Sequence, residues 1–388
     1  MKIALFDYRV TRNNPAGSCH LGMLKGLCQA HDFTVFSVEF ENPCAERIRW
    51  VRVPAPGRPL ALLFVAYHLL APIYYWAYRF RHRVRFDLVQ MVESNLSFGD
   101  MSYSHFCHRA FLKHHWRESR AGGLRGWFRW MDHWLHSLIE PWIYRRVRMI
   151  VVPSKGLERE LKREFPFVDG KIRVISNPVD AEGMVVPRAF DRRALRRELH
   201  LAESDIVFLF VALGHFERKG LPFLLSALQR LQHAPVKLLV VGGEADALAT
   251  WQSRTAQMGL TQRVSFLGLQ KDVRPYLWAA DASVLPSSYE VFPLVAIQSL
   301  AAGLPLLATR VYGVEEYLRD GVNGIVIDAF SPEGVEAALA RFITLSSERR
   351  RQLGLEGQRS ARGYDIASFL SGWDRFYAGV KAESAPAS

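Results

Sequence analysis

Short apolar, largely β-branched runs recur along most of the chain, and the stretches between them carry helical spacing. In the first half MKIALFDY, FTVFSVEF, DLVQMVES, MIVVPS and KIRVIS read as buried strands, as do IVFLFVAL, KLLVVGG, VSFLG, ASVLPS, PLLAT and GIVID in the second. Continuous apolar runs of this length, bounded by turn residues and separated by helical segments such as LPFLLSALQRLQ, predict parallel strands covered on both faces. The pattern runs through the chain twice, with AEGMVVPRAFDRRALRRELH (181–200) between the two runs. The expected fold is therefore α/β, with two doubly wound, Rossmann-like domains and a hinge near residue 180.

Two segments break the alternation. Residues 60–78, LALLFVAYHLLAPIYYWAY, carry no charge and are followed by Arg79, Arg81, Arg83 and Arg85. The length nearly suffices for a bilayer span. A span here would split the first sheet, however, so a buried or interfacial helix is expected. Residues 113–148 hold Trp116, Trp127, Trp130, Trp134 and Trp142 among many arginines and histidines. Such a helix could rest on anionic headgroups or pack its tryptophans inside the protein.

Composition adds a charge asymmetry. The chain of 388 residues has a net charge of +12, and residues 1–180 hold 27 basic against 16 acidic residues, where residues 181–388 hold 23 against 22. The basic half points to an anionic partner, either acidic lipid or a phosphorylated acceptor. A nucleic-acid partner is not expected, since no nucleic-acid-binding motif accompanies the charge. With 49% hydrophobic residues the chain can bury sizeable cores, and its length favours two of them. Cys19, Cys28, Cys44 and Cys107 show no metal-ligand spacing and fit a reducing compartment, and the amino-terminal apolar run is too short for a signal peptide.

The chemistry concentrates in the second half. After IVFLFVAL comes Gly214-His215-Phe216-Glu217-Arg218-Lys219-Gly220, and a helix is expected to open at Leu221-Pro222. Two cations beside a helix start, with glycines allowing close backbone approach, suit a diphosphate. Further on, Ser287-Ser288-Tyr289-Glu290-Val291-Phe292-Pro293-Leu294 repeats the arrangement of strand end, loop and proline-led helix. Gln298 lies about two turns along that helix. A carboxylate at the helix mouth can take sugar hydroxyls, and an amide further on can take those of ribose. Together these features describe a nucleotide-sugar site.

The stretch 208–328 resembles the donor domain of the family 4 glycosyltransferases, which are retaining enzymes of the GT-B fold. The resemblance rests on Arg218-Lys219-Gly220, Ser288-Tyr289-Glu290, Ala302-Gly303-Leu304-Pro305, and Asp320-Gly321 with Gly324. Asn177-Pro178-Val179-Asp180 resembles the family's interdomain Asn-Gly-Val-Asp, with proline in place of glycine. The resemblance implies two domains facing a central cleft. The acceptor-side domain would span 1–177 and be completed by a helix at about 366–382, the donor domain 178–365, and a flexible tail 383–388. It implies donor contacts from Gly17, Gly214, Arg218, Lys219, Leu269, Glu290, Phe292, Pro293, Leu294 and Gln298, with Gly268-Leu269 among the groups that select the base. The family's second motif glutamate is replaced here by Gln298, which retains an acceptor oxygen without the charge.

First-half matches are looser. Ala16-Gly17-Ser18 stands where the family has a glycine-rich loop, and His20 follows it, with cleft-facing and packing roles both open. MSYSHFCHR reads as a strand ending in His105 and His108. By resemblance His108 is the candidate beside the reacting sugar and His105 the alternative. The activity so implied is a metal-independent, hexosyl-type transfer from a UDP- or GDP-linked sugar to a glycan or lipid-linked acceptor, with no cofactor. Glu290, Lys219, Arg218 and His108 would form the reacting centre, with Glu290 positioning the sugar and not attacking it. No D-x-D triplet occurs, so a metal clamp of that design is absent. Enzymes of this kind commonly build surface polysaccharide or lipopolysaccharide at the cytoplasmic face of the inner membrane. A catalytically silent nucleotide-sugar-binding protein, motivated by Gln298, is the alternative.

Overall fold

The computed structural model describes residues 1–117 and 123–383. The chain divides into two compact units, Met1–Pro178 with Ile366–Ser388, and Val179–Asp365. Each is built on one all-parallel sheet.

In unit 1 the seven strands lie in the order Arg49–Arg52, Asp32–Ser37, Lys2–Phe6, Leu88–Val92, Met101–Tyr103, Met149–Val152 and Ile172–Val174. In unit 2 the order is Val264–Gly268, Val236–Val241, Ile206–Val211, Ala282–Leu285, Leu306–Thr309 and Gly324–Ile327. Both place the unit's first strand centrally and reverse the winding beside it, the doubly wound order with its ligand-binding switch point at the strands' C-terminal ends. The strand Ile206–Val211 shows why continuous apolar runs were needed. Val207 and Leu209 join one core cluster and Phe208 and Phe210 the cluster on the opposite face, so alternate side chains are buried on both sides.

The carboxy-terminal helix, Ile366–Glu383, is packed into unit 1 by Phe369, Trp373, Tyr377 and Val380. Tyr377 Oη donates to Gln90 Oε1 at 2.7 Å, Gln90 Nε2 meets His20 Nε2 at 3.1 Å, and His20 Nδ1 meets Asp7 Oδ2 at 2.9 Å. His20 is fully buried in this chain of polar contacts, so its role is packing.

One expectation is corrected, and two features add to the sequence reading. The strand at Met101 stops at Tyr103, and His108 opens a helix, His108–His114, so His105 and His108 are not strand neighbours. Residues 181–200 lie within unit 2. They form helices Ala181–Met184 and Arg192–Glu198, and the buried Arg196 bonds Ala202 O at 2.9 Å, Asp205 O at 2.6 Å and Ala279 O at 3.3 Å within unit 2. The edge strand Arg49–Arg52 has no apolar run to announce it, because Arg49 and Arg52 bracket only Trp50 and Val51 on an exposed sheet edge.

Candidate functional site

In unit 2 the cationic loop follows the strand Ile206–Val211 and the Glu290 loop follows the adjacent strand Ala282–Leu285, so both sit at the switch point. The two loops are tied by Ser288 N donating to Arg218 O at 2.9 Å, and by Arg218 Nη1 donating to Tyr289 O. Their charged ends converge: Lys219 Nζ lies 2.7 Å from Glu290 Oε1, and Arg218 Nη1 lies 3.7 Å from the same oxygen. Ser287 Oγ donates to Glu290 Oε1 at 3.2 Å, while Thr309 Oγ1 braces Ser287 O at 2.5 Å. All three charged side chains are only 12–15% exposed. Burial alone would raise the Glu290 carboxyl, but the charges of Lys219 and Arg218 outweigh it and hold the group below its ordinary range.

Gly220 makes this loop possible. Its φ is +80°, and a Cβ there would stand 2.1 Å from Pro286 O, so the loop lies directly against the neighbouring strand end. Gly214 has no such need, since a Cβ there would meet nothing within 4 Å. The start of the helix Leu221–Arg230 leaves few backbone N–H groups free. Leu221 N donates to Phe216 O at 2.9 Å, Pro222 has no N–H, and Phe223 N donates to Gly220 O at 3.1 Å. What this loop can offer an anion is therefore its side chains, Arg218 and Lys219, and not the backbone of the helix start.

The helix Leu294–Ala301 differs. It is preceded by Pro293 without a side-chain cap, and the N–H groups of Leu294 and Val295 meet no acceptor among the described residues. Uncapped donors at a helix start favour an anion. Phe292 serves the core, packed against Tyr317 and Tyr364. Gln298 is half-buried on this helix, and Leu269 is exposed beyond the strand Val264–Gly268.

In unit 1 Gly17 lies in the first turn of the helix Pro15–Leu27, and no glycine-rich loop is formed. A Cβ on Gly17 would stand 2.1 Å from Arg9 O, a packing demand that explains the glycine. His105 is pushed down to about 3 by burial and by the neighbouring His20. His108 is 5% exposed and both ring nitrogens are engaged: Nε2 lies 3.1 Å from Glu93 Oε2, and Nδ1 lies 2.9 Å from His133 Nδ1. Glu140 accepts from His108 N at 2.7 Å and Arg109 N at 3.0 Å, binding the uncapped start of that helix. Burial lifts Glu140 to about 7 and Asp132 to about 6. Burial opposes the charged form of His108, yet the Glu93 carboxylate wins and its pKa is raised. The sequence offers His108, with His105 as the alternative, and gives no sign that Glu93, Asp132, His133, His136 and Glu140 gather around it. Only the i,i+3 spacing of His133 and His136 hinted at a shared helix face.

The family profile described as Glycosyl transferases group 1 matches residues 191–360, and that described as Glycosyltransferase Family 4 matches residues 21–182. The chain belongs to the family 4 glycosyltransferases. An uncharacterised glycosyltransferase of Methanocaldococcus jannaschii is 25% identical over 89% of both chains. The lipopolysaccharide core biosynthesis glycosyltransferase LpsE of Rhizobium meliloti is 37% identical over 54% of this chain and 57% of its own length. Among solved structures, WaaG, a glycosyltransferase involved in lipopolysaccharide biosynthesis, superposes with a TM-score of 0.75 at 18% identity over 96% of this chain and 99% of its own. Anabaena HepE, solved with UDP and glucose, superposes at 0.71 with 16% identity, over 97% and 99%. This family 4 glycosyltransferase therefore has the GT-B fold, and its relatives include lipopolysaccharide and polysaccharide glycosyltransferases.

Proposed function

We propose that this glycosyltransferase moves a sugar from a nucleoside-diphosphate donor, UDP- or GDP-linked, to a hydroxyl of a membrane-borne glycan acceptor, with retention at the anomeric carbon. The observation that carries this reading is the convergence of Arg218, Lys219 and Glu290 within 3.7 Å at the unit 2 switch point, beside the uncapped start of the Leu294–Ala301 helix. As the bond from the anomeric carbon to the diphosphate breaks, the departing charge is met by Arg218, Lys219 and that helix start, a stabilisation that commonly dominates such steps. The acceptor oxygen forms its bond on the same face and its proton passes to a donor phosphate oxygen. Glu290 positions the sugar. No divalent ion on the diphosphate is invoked, and His108, with both ring nitrogens engaged, is left out of the step.

A thermal-shift panel of UDP, GDP, ADP and their sugars tests the reading, followed by NMR of the product's anomeric configuration. One nucleotide family should stabilise the wild-type chain and fail to stabilise Lys219→Ala. A flat panel with folded protein would instead favour a silent binding fold, with Gln298 the residue to explain.

We further propose that the acceptor is met at an anionic membrane surface, the inner face of the cytoplasmic membrane. The helix Leu60–His82 buries Ala61, Phe64, Tyr67, Ala71 and Tyr75, and Tyr67 Oη donates to Phe36 O at 2.6 Å. Its outer face exposes Leu62, Leu69, Ile73, Trp76 and Phe80. The helix Gly123–Arg146 adjoins it, with Phe64 against His136 at 4.5 Å, and exposes Trp127, Trp130, Trp134 and Trp142. Guanidinium groups stack on the rim, Arg79 at 4.7 Å from Trp76 and Arg146 at 3.6 Å from Trp142. Apolar and tryptophan side chains between cations match an anionic interface. Co-flotation should occur with phosphatidylglycerol-rich vesicles, weaken in Trp130→Ser/Trp134→Ser, and be absent with neutral vesicles. Equal recovery from both vesicle types would overturn the lipid assignment.

A further inference from the structure

The titratable cluster of unit 1 lies at the C-terminal ends of adjacent strands, and the transfer chemistry above leaves it unused. Glu93 directly follows the strand Leu88–Val92 with φ +49°, a left-handed conformation uncommon outside glycine. The conformation is held by Glu93 N donating to Tyr103 O at 3.0 Å and by Ser102 Oγ donating to Glu93 O at 2.6 Å. Backbone held in this way characteristically aims a functional side chain. Here the carboxylate is aimed at His108 Nε2, 3.1 Å away.

Two imidazoles are oriented in the same sense. His108 Nδ1 is engaged by His133 Nδ1 at 2.9 Å, which leaves Nε2 toward Glu93. His136 Nδ1 is engaged by Ser94 Oγ at 2.7 Å, which leaves its Nε2 directed inward, 4.0 Å from Asp132 Oδ1. A partner on one ring nitrogen fixes which nitrogen remains to act as ligand, the arrangement found around metal-bound histidines. One ligand atom from each of Glu93, His108 and His136 lies within 4.8 Å of the others, and both histidines are buried.

We propose that Glu93, His108 and His136 are the protein ligands of a divalent transition-metal ion, with zinc the best match. Two neutral imidazoles and one carboxylate form a borderline donor set that suits zinc and disfavours magnesium or calcium, which require more oxygen ligands. The charge is balanced in part by Glu93, and the buried Asp132, 4.0 Å from His136 Nε2, adds a second carboxyl beside the site. Zinc–nitrogen bonds of about 2.0–2.1 Å require the three groups to draw together from their ion-free separations. The two imidazole rings, stacked at 4.1 Å and 14°, must splay so that both Nε2 lone pairs meet the ion. The ion would join the C-terminal end of the central strand Leu88–Val92, the start of the His108–His114 helix and the Gly123–Arg146 helix. It would be a fixture of unit 1, and the donor diphosphate would still be met by Arg218 and Lys219.

The test is direct metal binding by the full chain, stripped with EDTA and titrated with Zn²⁺ by calorimetry and with Co²⁺ by visible absorption. The expected result is one equivalent bound, with intense Co²⁺ bands of tetrahedral type. Glu93→Gln and His136→Asn should abolish binding while circular dichroism stays native. Ser94→Ala, which removes only the group orienting His136, should weaken Zn²⁺ binding by roughly 10- to 100-fold. Failure of the wild-type chain to take up either ion stoichiometrically would overturn the assignment, as would uptake that survives in the Glu93→Gln/His136→Asn double variant. Both readouts are independent of sugar transfer, so they stand apart from the donor reading.

Discussion

Lys219→Met separates the structural from the binding role of the cationic loop. The substitution keeps much of the stem and removes the ammonium 2.7 Å from Glu290. Removing one partner of a buried ion pair costs roughly 3–5 kcal/mol, because the remaining charge is stranded. Here Glu290 is 12% exposed, Arg218 stays 3.7 Å away and Ser287 still donates to it, so the loss should lie lower, at about 2 kcal/mol. For a unit of this size that corresponds to roughly 4–8 °C in Tm. The pH dependence has a definite sign. In the wild type the folded pKa of Glu290 is depressed, so its contribution is present above the unfolded carboxyl value, about 4.3, and is lost as pH falls through the folded one. In Lys219→Met the strongest lowering influence is gone and burial pushes the pKa up. The Tm deficit against wild type should thus be largest near pH 7 and shrink toward pH 4.

The double variant Lys219→Met/Glu290→Gln completes the cycle. Removing the stranded carboxylate should restore most of the Tm at pH 7, whereas the thermal shift by UDP or GDP should stay lost. Two results would refute the reasoning: a single variant as stable as wild type at pH 7, or a double variant that regains the nucleotide-induced shift. The first would mean that the ion pair contributes no stability, and the second that Lys219 is not a diphosphate contact.

Three further outcomes are expected. Gln298→Glu restores the charge found in the family motif and should tighten nucleotide binding by about 1 kcal/mol, measured by calorimetry, if the residue accepts from ribose hydroxyls. Gly220→Ala forces a Cβ to within 2.1 Å of Pro286 O at φ +80°. It should destabilise unit 2 by more than 1 kcal/mol in chemical denaturation and displace the Arg218–Lys219 loop. Tyr377→Phe strands Gln90 Oε1 beside the buried His20 and should lower stability by roughly 1–3 kcal/mol, seen as a reduced denaturation midpoint.

How much of this was legible in the sequence follows from which interactions are local. Continuous apolar runs declare doubly covered strands, and the unit 2 motifs lie in short loops immediately after such strands, so Arg218, Lys219 and Glu290 could be named in advance. That Lys219 and Glu290 are paired could not, because they are 71 residues apart and meet only through the adjacency of two strands. The same limit governs unit 1. Glu93, His108 and His136 come from a strand end, a helix start and the middle of another helix, and no spacing rule links them. His108 was found by local likeness, while its engagement on both nitrogens depends on two residues distant in sequence. The helix Leu60–His82 shows the converse. Its uncharged run is plain in the sequence, but the sorting of Tyr67 inward and Leu69 outward depends on Phe36 offering a carbonyl to one face. A residue's type and local spacing fix what it can do, and the neighbouring strands and helices decide what it meets.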